Sequence, residues 1–323
     1  MNILLDTLAI LLIAVTFAPS LPSAHWLVRV WEFPRLQIFS LMLGVFVARA
    51  YMEGFALFTS PLLAFLYIAL LGCAIYQVFW IIPYTPLVPR EVKKCKTPDK
   101  NKQISILSSN VYMPNNEFQK LLQHIDDTDP DIVVTLESNK KWQEALAPLN
   151  SSHPYQKHCP LENLYGMNLF SKYPLESAEL QYLVEDDVPS FKVTFTKLGQ
   201  LVTVYFIHPK PPSPTENESA KPRDIELDVV GHTVSDYTTP VIVTGDLNDV
   251  AWSPTTRKFR KTSGLLDPRI GRGFYNTFHA HYPLVKWPLD HIFHSSDFEL
   301  VEIKKLADIG SDHYPLLTRL QLK

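Results

Sequence analysis

The chain has 323 residues, 46% of them hydrophobic, with 30 Lys and Arg against 33 Asp and Glu for a formal net charge of −3. That length suits one large domain or two modest ones with a sizeable core. Its three cysteines, Cys73, Cys95 and Cys159, are too few and too irregularly spaced for a zinc site or a disulfide scaffold, and they read as unpaired thiols in keeping with a reducing compartment.

Charge is unevenly spread. Residues 1–90 hold only Arg29, Arg35, Arg49 and Arg90 against Asp6, Glu32 and Glu53. Removing these four and three from the totals leaves 26 basic and 30 acidic residues in 91–323, an ordinary soluble composition with net charge −4. In chain order, 3–21 is apolar, broken only by Asp6 and Pro19. It lacks a basic leader and a small-x-small cleavage site, so it reads as a retained anchor rather than a signal peptide. Residues 36–58 form a second apolar stretch, interrupted by Arg49 and Glu53. Four apart, these two share a helix face and can pair. We read them as facing neighbouring helices, or as marking the helix's emergence, rather than as an intramembrane functional site. Residues 62–82 carry no charge over 21 positions, and a hydrocarbon core about 30 Å thick needs about 20 helical residues. Three spans put the loop at 22–35 on the same side as everything after 83. That side carries Arg29, Arg35, Arg90, Lys93, Lys94 and Lys96, so the positive-inside bias predicts a multi-pass protein of the cell (inner) membrane with a cytoplasmic domain. The expected division is an anchor at 1–83, a juxtamembrane linker at 84–102 and a catalytic domain at 103–323. The linker is Pro- and Lys-rich without periodicity, and its basic cluster can sit on anionic headgroups of the bilayer.

From 103 onward strand and helix patterns alternate. Strands are predicted at 103–109, 131–136, 166–171, 191–196, 201–207, 240–245, 290–294, 299–304 and 315–320. Helices are predicted at 117–125, 139–147 and 223–236. Residues 208–224 contain five prolines and read as a loop. Few helices among many short apolar strands imply a mixed α/β domain with packed sheets.

Polar residues recur at the strand ends. Asn110 follows QISILSS, Glu137 follows DIVVTL, and His208 follows LVTVYFI. Asp246 and Asn248 follow PVIVTG, Asp290 and His291 open LDHIFHS, and Ser311, Asp312 and His313 precede YPLL. Such positions are held by a rigid sheet yet reach into loops. Asp246 and Asn248, two apart, point to one side of an extended segment, and Gly245 before them permits close backbone approach. Carboxylates and amide oxygens without a thiolate cluster favour a hard cation such as Mg²⁺ or Mn²⁺. Such an ion polarises a phosphoryl oxygen; a nearby carboxylate can take a proton from water, and a protonated histidine can stabilise developing negative charge. Singly, each residue has a plain structural explanation: Glu137 as a helix cap, GDLN as a turn, Asp312-His313 as a surface pair. Their joint recurrence at strand ends is the informative feature.

The order Asn110, Glu137, His208, Gly245-Asp246-Leu247-Asn248, Asp290-His291 and Ser311-Asp312-His313 resembles the endonuclease/exonuclease/phosphatase superfamily over about 103–320. GDLN and SDH carry most of the likeness, and GMNLFSKYP is similar to the family's strand before a Ser-Lys/Arg-x-Pro turn. The anchor with HPKPP and DLNDVAWSP looks most like a bacterial membrane-bound branch. The resemblance implies a four-layered α/β sandwich, two packed mixed sheets flanked by helices, here preceded by about three transmembrane helices. It implies Glu137 as principal metal ligand with Asn110 beside it and Asp312 completing the shell. Asp246 would orient or deprotonate water, Asn248 and His208 would contact the phosphate, and His313, charged by Asp290, would stabilise the transition state. Tyr112 stands where some members place an acid, which disfavours a second metal. His208 stands where abasic-site endonucleases place a tyrosine, which disfavours that activity.

The expected activity is divalent-metal-dependent hydrolysis of a phosphodiester or phosphomonoester at the membrane surface. The substrate is either a phospholipid headgroup or a nucleic acid. A membrane-tethered nuclease is the alternative; its basic face would come from Lys210, Lys221, Arg223, Arg269, Arg272 and the RKFRK cluster at 257–261, which otherwise reads as a solvated helix or loop. A non-catalytic scaffold is a third reading, disfavoured because every proposed position holds a competent residue.

Overall fold

A computed structural model describes residues 2–54 and 60–323. The N-terminal part contains α1 (Asn2–Phe17), the short α2 (Trp26–Arg29), α3 (Arg35–Glu53) and α4 (Pro61–Ile81). Three stretches, Asn2–Ser20, Arg35–Glu53 and Pro61–Tyr84, are long and apolar enough to cross a membrane. The predicted end of the second span, 55–58, lies outside the described residues. The three long helices meet through Ala9, Leu12, Ile38, Met42, Val45, Tyr67 and Leu70, while Leu4, Leu43, Leu62 and Phe65 point outward. An apolar surface on both sides of the contact is what a helix needs in lipid. The charges turn inward and pair. Arg49 Nε reaches Asp6 Oδ1 at 3.1 Å, its guanidinium also bonds Glu53, and Tyr67 donates to Asp6 at 2.7 Å. The i,i+4 pairing expected of Arg49 and Glu53 is present, joined by Asp6 from another helix.

The remaining chain builds two sheets. Strands β1 (Gln103–Asn110), β2 (Ile132–Leu136), β3 (Tyr155–Cys159), β4 (Met167–Ser171), β10 (Phe298–Lys305) and β11 (Leu316–Leu322) form one, in the order β10-β11-β1-β2-β4-β3. Strands β5 (Ser177–Gln181), β6 (Ser190–Lys197), β7 (Gln200–Phe206), β8 (Val241–Asp246) and β9 (Asp290–His294) form the other, in that order. Both are mixed: β1–β2 and β7–β8 are parallel, the other pairs antiparallel. Alternation sorts each strand between two cores. Ile132, Val134 and Leu136 point between the sheets against Phe191, Val193, Val204 and Ile242. Val133 points outward to Leu121 and Ile125 of α5 (Phe118–Thr128) and to Trp142 of α6 (Lys140–Ala145). Likewise Val241 and Val243 point outward to Leu227 and Val230 of α7 (Lys221–Ser235) and Phe259 of α8 (Pro254–Ser263). Both faces of the central strands are covered, which is why DIVVTL and PVIVTG read as continuous apolar runs. The arrangement is the expected four-layered sandwich.

Some elements differ from the sequence reading. β3 (YQKHC) and β5 (SAELQ) lie at sheet edges and are only partly buried, so neither shows an apolar run. α8 carries the RKFRK cluster; its start is marked by Ser253, which accepts from Thr256 N at 2.9 Å, and by Pro254. The segment 84–102 is docked on the domain rather than free. Val92 and Cys95 are buried, and Cys95 N donates to Leu300 O at 2.8 Å while Leu300 N donates to Lys93 O at 3.0 Å. The unpaired backbone of edge strand β10 captures it, as exposed strand edges do. All three cysteines are free and buried.

The candidate active site

Topology brings the polar strand ends together. Parallel β1 and β2 end side by side at Asn110 and Leu136. Antiparallel β11 therefore begins at that same edge, just after Asp312 and His313. In the other sheet, parallel β7 and β8 end together, with His208 just beyond β7. Antiparallel β9 begins there, with Asp290 opposite Asp246. Two sheets stacked face to face thus present one edge bearing all these residues.

The distances confirm the convergence. Asn110 Nδ2 donates to Glu137 Oε1 at 2.7 Å and to Asp246 Oδ2 at 3.1 Å. The oxygen of that amide accepts from Tyr112 N at 3.1 Å, so its nitrogen is what faces the carboxylates. His313 Nδ1 lies 2.8 Å from Asp290 Oδ2, and its Nε2 lies 3.4 Å from Asp246 Oδ2. His208 Nε2 lies 3.9 Å from the same oxygen. Asn248 N donates to Asp246 Oδ1 at 2.8 Å, and Asn248 Nδ2 donates to Pro209 O at 3.0 Å. Ser311 Oγ donates to Asn110 O at 2.8 Å and accepts from His313 N at 3.0 Å, tying the SDH turn to the end of β1. Asp312 lines the same cleft of about 280 Å³ with Glu137, His208, Asn248 and His313. All eight predicted positions therefore share one locus. His291, which sits among them in sequence, faces away: Arg269 donates to its Nδ1 at 2.7 Å, and its Nε2 contacts Asp249 O at 2.9 Å.

Local backbone is strained where the site needs it. Glu137 and Asn248 have φ of 53° and 50°, a left-handed conformation costing about 1–3 kcal/mol for such residues. Gly245 has φ of 143°, and a Cβ there would sit 2.0 Å from Ile207 O. Only glycine permits β8 to run this close to the end of β7.

Burial sets the electrostatics. Glu137 is pushed up to about 8, first by burial and then by the carboxylates of Asp312 and Asp246, against the opposing effects of the Asn110 hydrogen bond and His313. Asp246 is pushed up to about 7 by burial and Asp290, although His313 and its hydrogen bonds oppose this. Burial pulls His313 down, but Asp246, Asp290 and the Asp290 hydrogen bond overcome it and raise the imidazole to about 10. Burial resists ionisation of Asp290 too, yet His313 holds it below its ordinary value. His208 is lowered to about 3 by burial and by His313, so it is neutral at neutral pH, with no partner for Nδ1 among the described residues.

These residues fit a hard divalent cation. Four carboxylates (Glu137, Asp246, Asp290, Asp312) face one imidazolium, a surplus of acidic groups that a cation would relieve. Asp246, Asp290 and His313 also place ligand atoms within 4.8 Å of one another. In that trio His313 Nδ1 already bonds Asp290, and both Asp246 oxygens accept hydrogen bonds, so the carboxylates of Glu137 and Asp312 are the more suitable donors.

The profile of the Endonuclease/Exonuclease/phosphatase family matches residues 107–313, which span every residue of this locus. The chain belongs to that family. Its members are metal-dependent phosphoesterases and nucleases, and a hydrolytic phosphoesterase is the general class to which this protein belongs. Solved structures share the fold. D. rerio TDP2 complexed with a single-strand DNA product is 16% identical, covering 69% of this chain and 100% of its own, at a TM-score of 0.58. A family protein from Bacteroides vulgatus is 17% identical, covering 68% and 99%, at 0.54. Staphylococcus aureus beta toxin is 20% identical, covering 68% and 100%, at 0.50. No curated protein matches by sequence.

Sequence reasoning missed the apolar and acidic walls. Tyr165 packs 5.4 Å from the His208 ring and donates to Glu216 at 2.5 Å. Phe278 packs 5.0 Å from the His313 ring. Phe33, from the segment between the first two long apolar helices, completes the cleft. In sequence an aromatic wall residue looks like any core aromatic, and nothing near Phe33 marks it.

Proposed function

We propose that this protein is a membrane-anchored hydrolase of phosphate esters that uses a divalent cation, Mg²⁺ or Mn²⁺, at the cleft of Glu137, Asp246 and His313. The observation that carries the reading is the meeting of Asn110, Glu137, Asp246, Asp290 and His313 through contacts of 2.7–3.4 Å. Glu137 is the principal ligand, with Asp312 beside it. Asn110 orients the carboxylates of Glu137 and Asp246 by bridging them. Bound there, the cation supplies Lewis acidity toward a phosphoryl oxygen.

The side chains divide the remaining work. Asp246, titrating near neutrality, accepts the proton of an attacking water, and the Asn248 N–H fixes its second oxygen. His313 is an imidazolium held by Asp290, and it donates toward the oxygen where negative charge accumulates. His208, neutral and desolvated, offers an N–H to the phosphate, as does the Asn248 amide. The anchor and the basic residues Arg29, Arg35, Arg90, Lys93, Lys94 and Lys96 favour an inner-membrane enzyme with its cleft on the cytoplasmic side.

A nuclease is the second reading, prompted by the DNA product in D. rerio TDP2. Against it stands the engagement of the basic residues. Arg257 donates to Trp80 O at 2.9 Å, Arg260 to Glu91 at 2.5 Å, and Arg272 to Val92 O at 2.5 Å. Arg223 and Arg269 are buried against Asp224 and Asp267. Arg257 and Arg260 of RKFRK thus hold the segment around Trp80 and Glu91 instead of lying free for phosphate, and Lys258 pairs with Asp228.

The test is hydrolysis of bis(p-nitrophenyl) phosphate by the purified full chain in detergent micelles. Turnover that EDTA abolishes and Mg²⁺ or Mn²⁺ restores is expected. Metal binding without turnover on esters and oligonucleotides alike would favour a scaffold.

A further inference from the structure

Resting on that hydrolase reading, we propose that the substrate is a phosphate ester carrying an apolar chain held in the same bilayer as the anchor. We further propose that Phe33 sets this specificity. The anchor is part of the cleft. Phe33 immediately precedes Pro34 and the span beginning at Arg35, yet it lines the cleft with Glu137 and His313. From it an aromatic file runs inward. The Phe33 ring lies 5.4 Å from Trp287, Trp287 stacks on Phe278 at 6.0 Å, and Phe278 lies 5.0 Å from His313. An apolar wall therefore leads from the membrane boundary to the imidazole that faces the phosphate.

This wall is held in place. Trp252 Nε1 donates to Glu32 O at 2.8 Å, Trp26 N to Glu218 O at 2.8 Å, and Ala220 N to Ala24 O at 2.7 Å. Arg29 donates to Thr255 Oγ1 at 2.6 Å and to Asp224 at 3.3 Å. On the rim, Gln37 of the span donates to Leu284 O at 2.9 Å, and the Leu284 side chain is 80% exposed. An exposed leucine whose carbonyl is bonded to the first turn of a membrane-crossing helix is placed to enter the interface between lipid and water.

The cleft is poorly suited to a nucleic acid. Among the described residues no Lys or Arg lines it, whereas strand binders track phosphates with cations and stack bases along an open groove. The cleft also carries an acidic wall, where Tyr165 is bonded to Glu216, and the nearby Lys210 is neutralised by Asp187 at 2.9 Å. A single phosphate fits beside His313 and a dication, with its chain leaving along Phe278 and Phe33 toward the bilayer. Continuity of that path with the spans is what commits the occupant to a lipid.

The experiment uses the full chain in dodecyl maltoside micelles with Mg²⁺ or Mn²⁺. The probes are alkyl p-nitrophenyl phosphate diesters with ethyl, octyl and dodecyl chains. We expect kcat/KM to rise at least tenfold from ethyl to octyl, because each buried methylene adds to binding. Phe33→Ser should flatten that dependence, and Phe33→Leu should restore it. Phe33 is only half-buried, so the serine variant retains the fold. Turnover of the ethyl ester with no gain from chain length overturns this inference and leaves the hydrolase reading standing. So does a chain-length gain that Phe33→Ser preserves, or a single-stranded oligonucleotide cleaved faster than the octyl ester. Failure to hydrolyse any ester overturns both readings.

Discussion

Two buried charged clusters lie close together in this molecule and are built on opposite principles. Where the N-terminal helices meet the two-sheet domain, Glu32, Asp224 and Asp249 meet Arg29, Arg35 and Arg223. Arg29 lies 3.4 Å from Glu32, and Arg223 lies 2.9 Å from Asp224 and 3.4 Å from Asp249. Three guanidinium groups answer three carboxylates. At the cleft, four carboxylates meet one imidazolium; among the described residues no guanidinium pairs with those carboxylates, Arg223 and Arg269 reaching only the backbone oxygens of Asn248 and Asp290. Burying charge is tolerated only when it is paired, and each junction carboxylate has a guanidinium within 3.4 Å, although burial and Asp249 still raise Glu32 to about 7. The cleft carries excess negative charge that an ion from solution can neutralise. The same residue types thus make a structural joint in one place and a reactive site in the other, depending on whether the protein supplies the cation.

Breaking the open cluster should affect chemistry most. Asp246→Ala or His313→Ala is expected to lower kcat by about 10²–10⁴-fold, the usual contribution of a positioned acid or base. Circular dichroism should show an unchanged fold. A near-normal rate in Asp246→Ala would remove it from its role.

Breaking the closed cluster should affect stability. Arg223→Ala leaves Asp224 and Asp249 short of a partner and frees the Asn248 carbonyl, to which Arg223 donates at 2.8 Å. Removing one partner of a buried pair costs about 3–5 kcal/mol, read as a lower midpoint of thermal unfolding. Unchanged stability would mean that the junction is not structural.

Proton linkage sharpens the contrast. Glu137 is raised in the folded protein from 4.5 to about 8. The folded state therefore binds more protons than the unfolded state between those values, and the metal-free protein loses stability as pH rises through that window. A dication needs the ionised carboxylate, so its affinity rises over the same range. The stabilisation by Mg²⁺ should be small near pH 5 and level off above about pH 8. Differential scanning fluorimetry checks this, and a pH-independent shift would contradict it. The smallest effect belongs to an exposed pair. Lys258→Ala removes a contact to Asp228 at 2.6 Å in which Lys258 is 65% exposed. Surface pairs contribute about 0–1 kcal/mol, and turnover should be unaltered.

What could be read from the sequence follows the same division. Asn110, Glu137, Asp246 and His313 stand out because a polar residue at the end of an apolar strand is conspicuous, and a sheet edge collects such ends. The three long N-terminal helices are legible for a similar reason, their apolar runs being interrupted only by Asp6, Pro19, Arg49 and Glu53. The junction was not legible. Arg223 and Asp249 look like ordinary surface residues until α7 and the β8–α8 loop place them together against residues 22–35. The docking of the linker 84–102 is not legible because its pairing partner, the edge of β10, is remote in sequence. Phe33, Tyr165 and Phe278 carry no polar signal, and their place in the cleft is set entirely by packing.

Calorimetric titration of Mn²⁺ into the metal-free full chain and its Glu137→Ala variant tests the cation site most directly. Binding to the wild type accompanied by proton release at pH 7, and weakened at least tenfold in the variant, is the predicted result. Equal affinity in both proteins would show that the excess carboxylates of the cleft do not hold the ion.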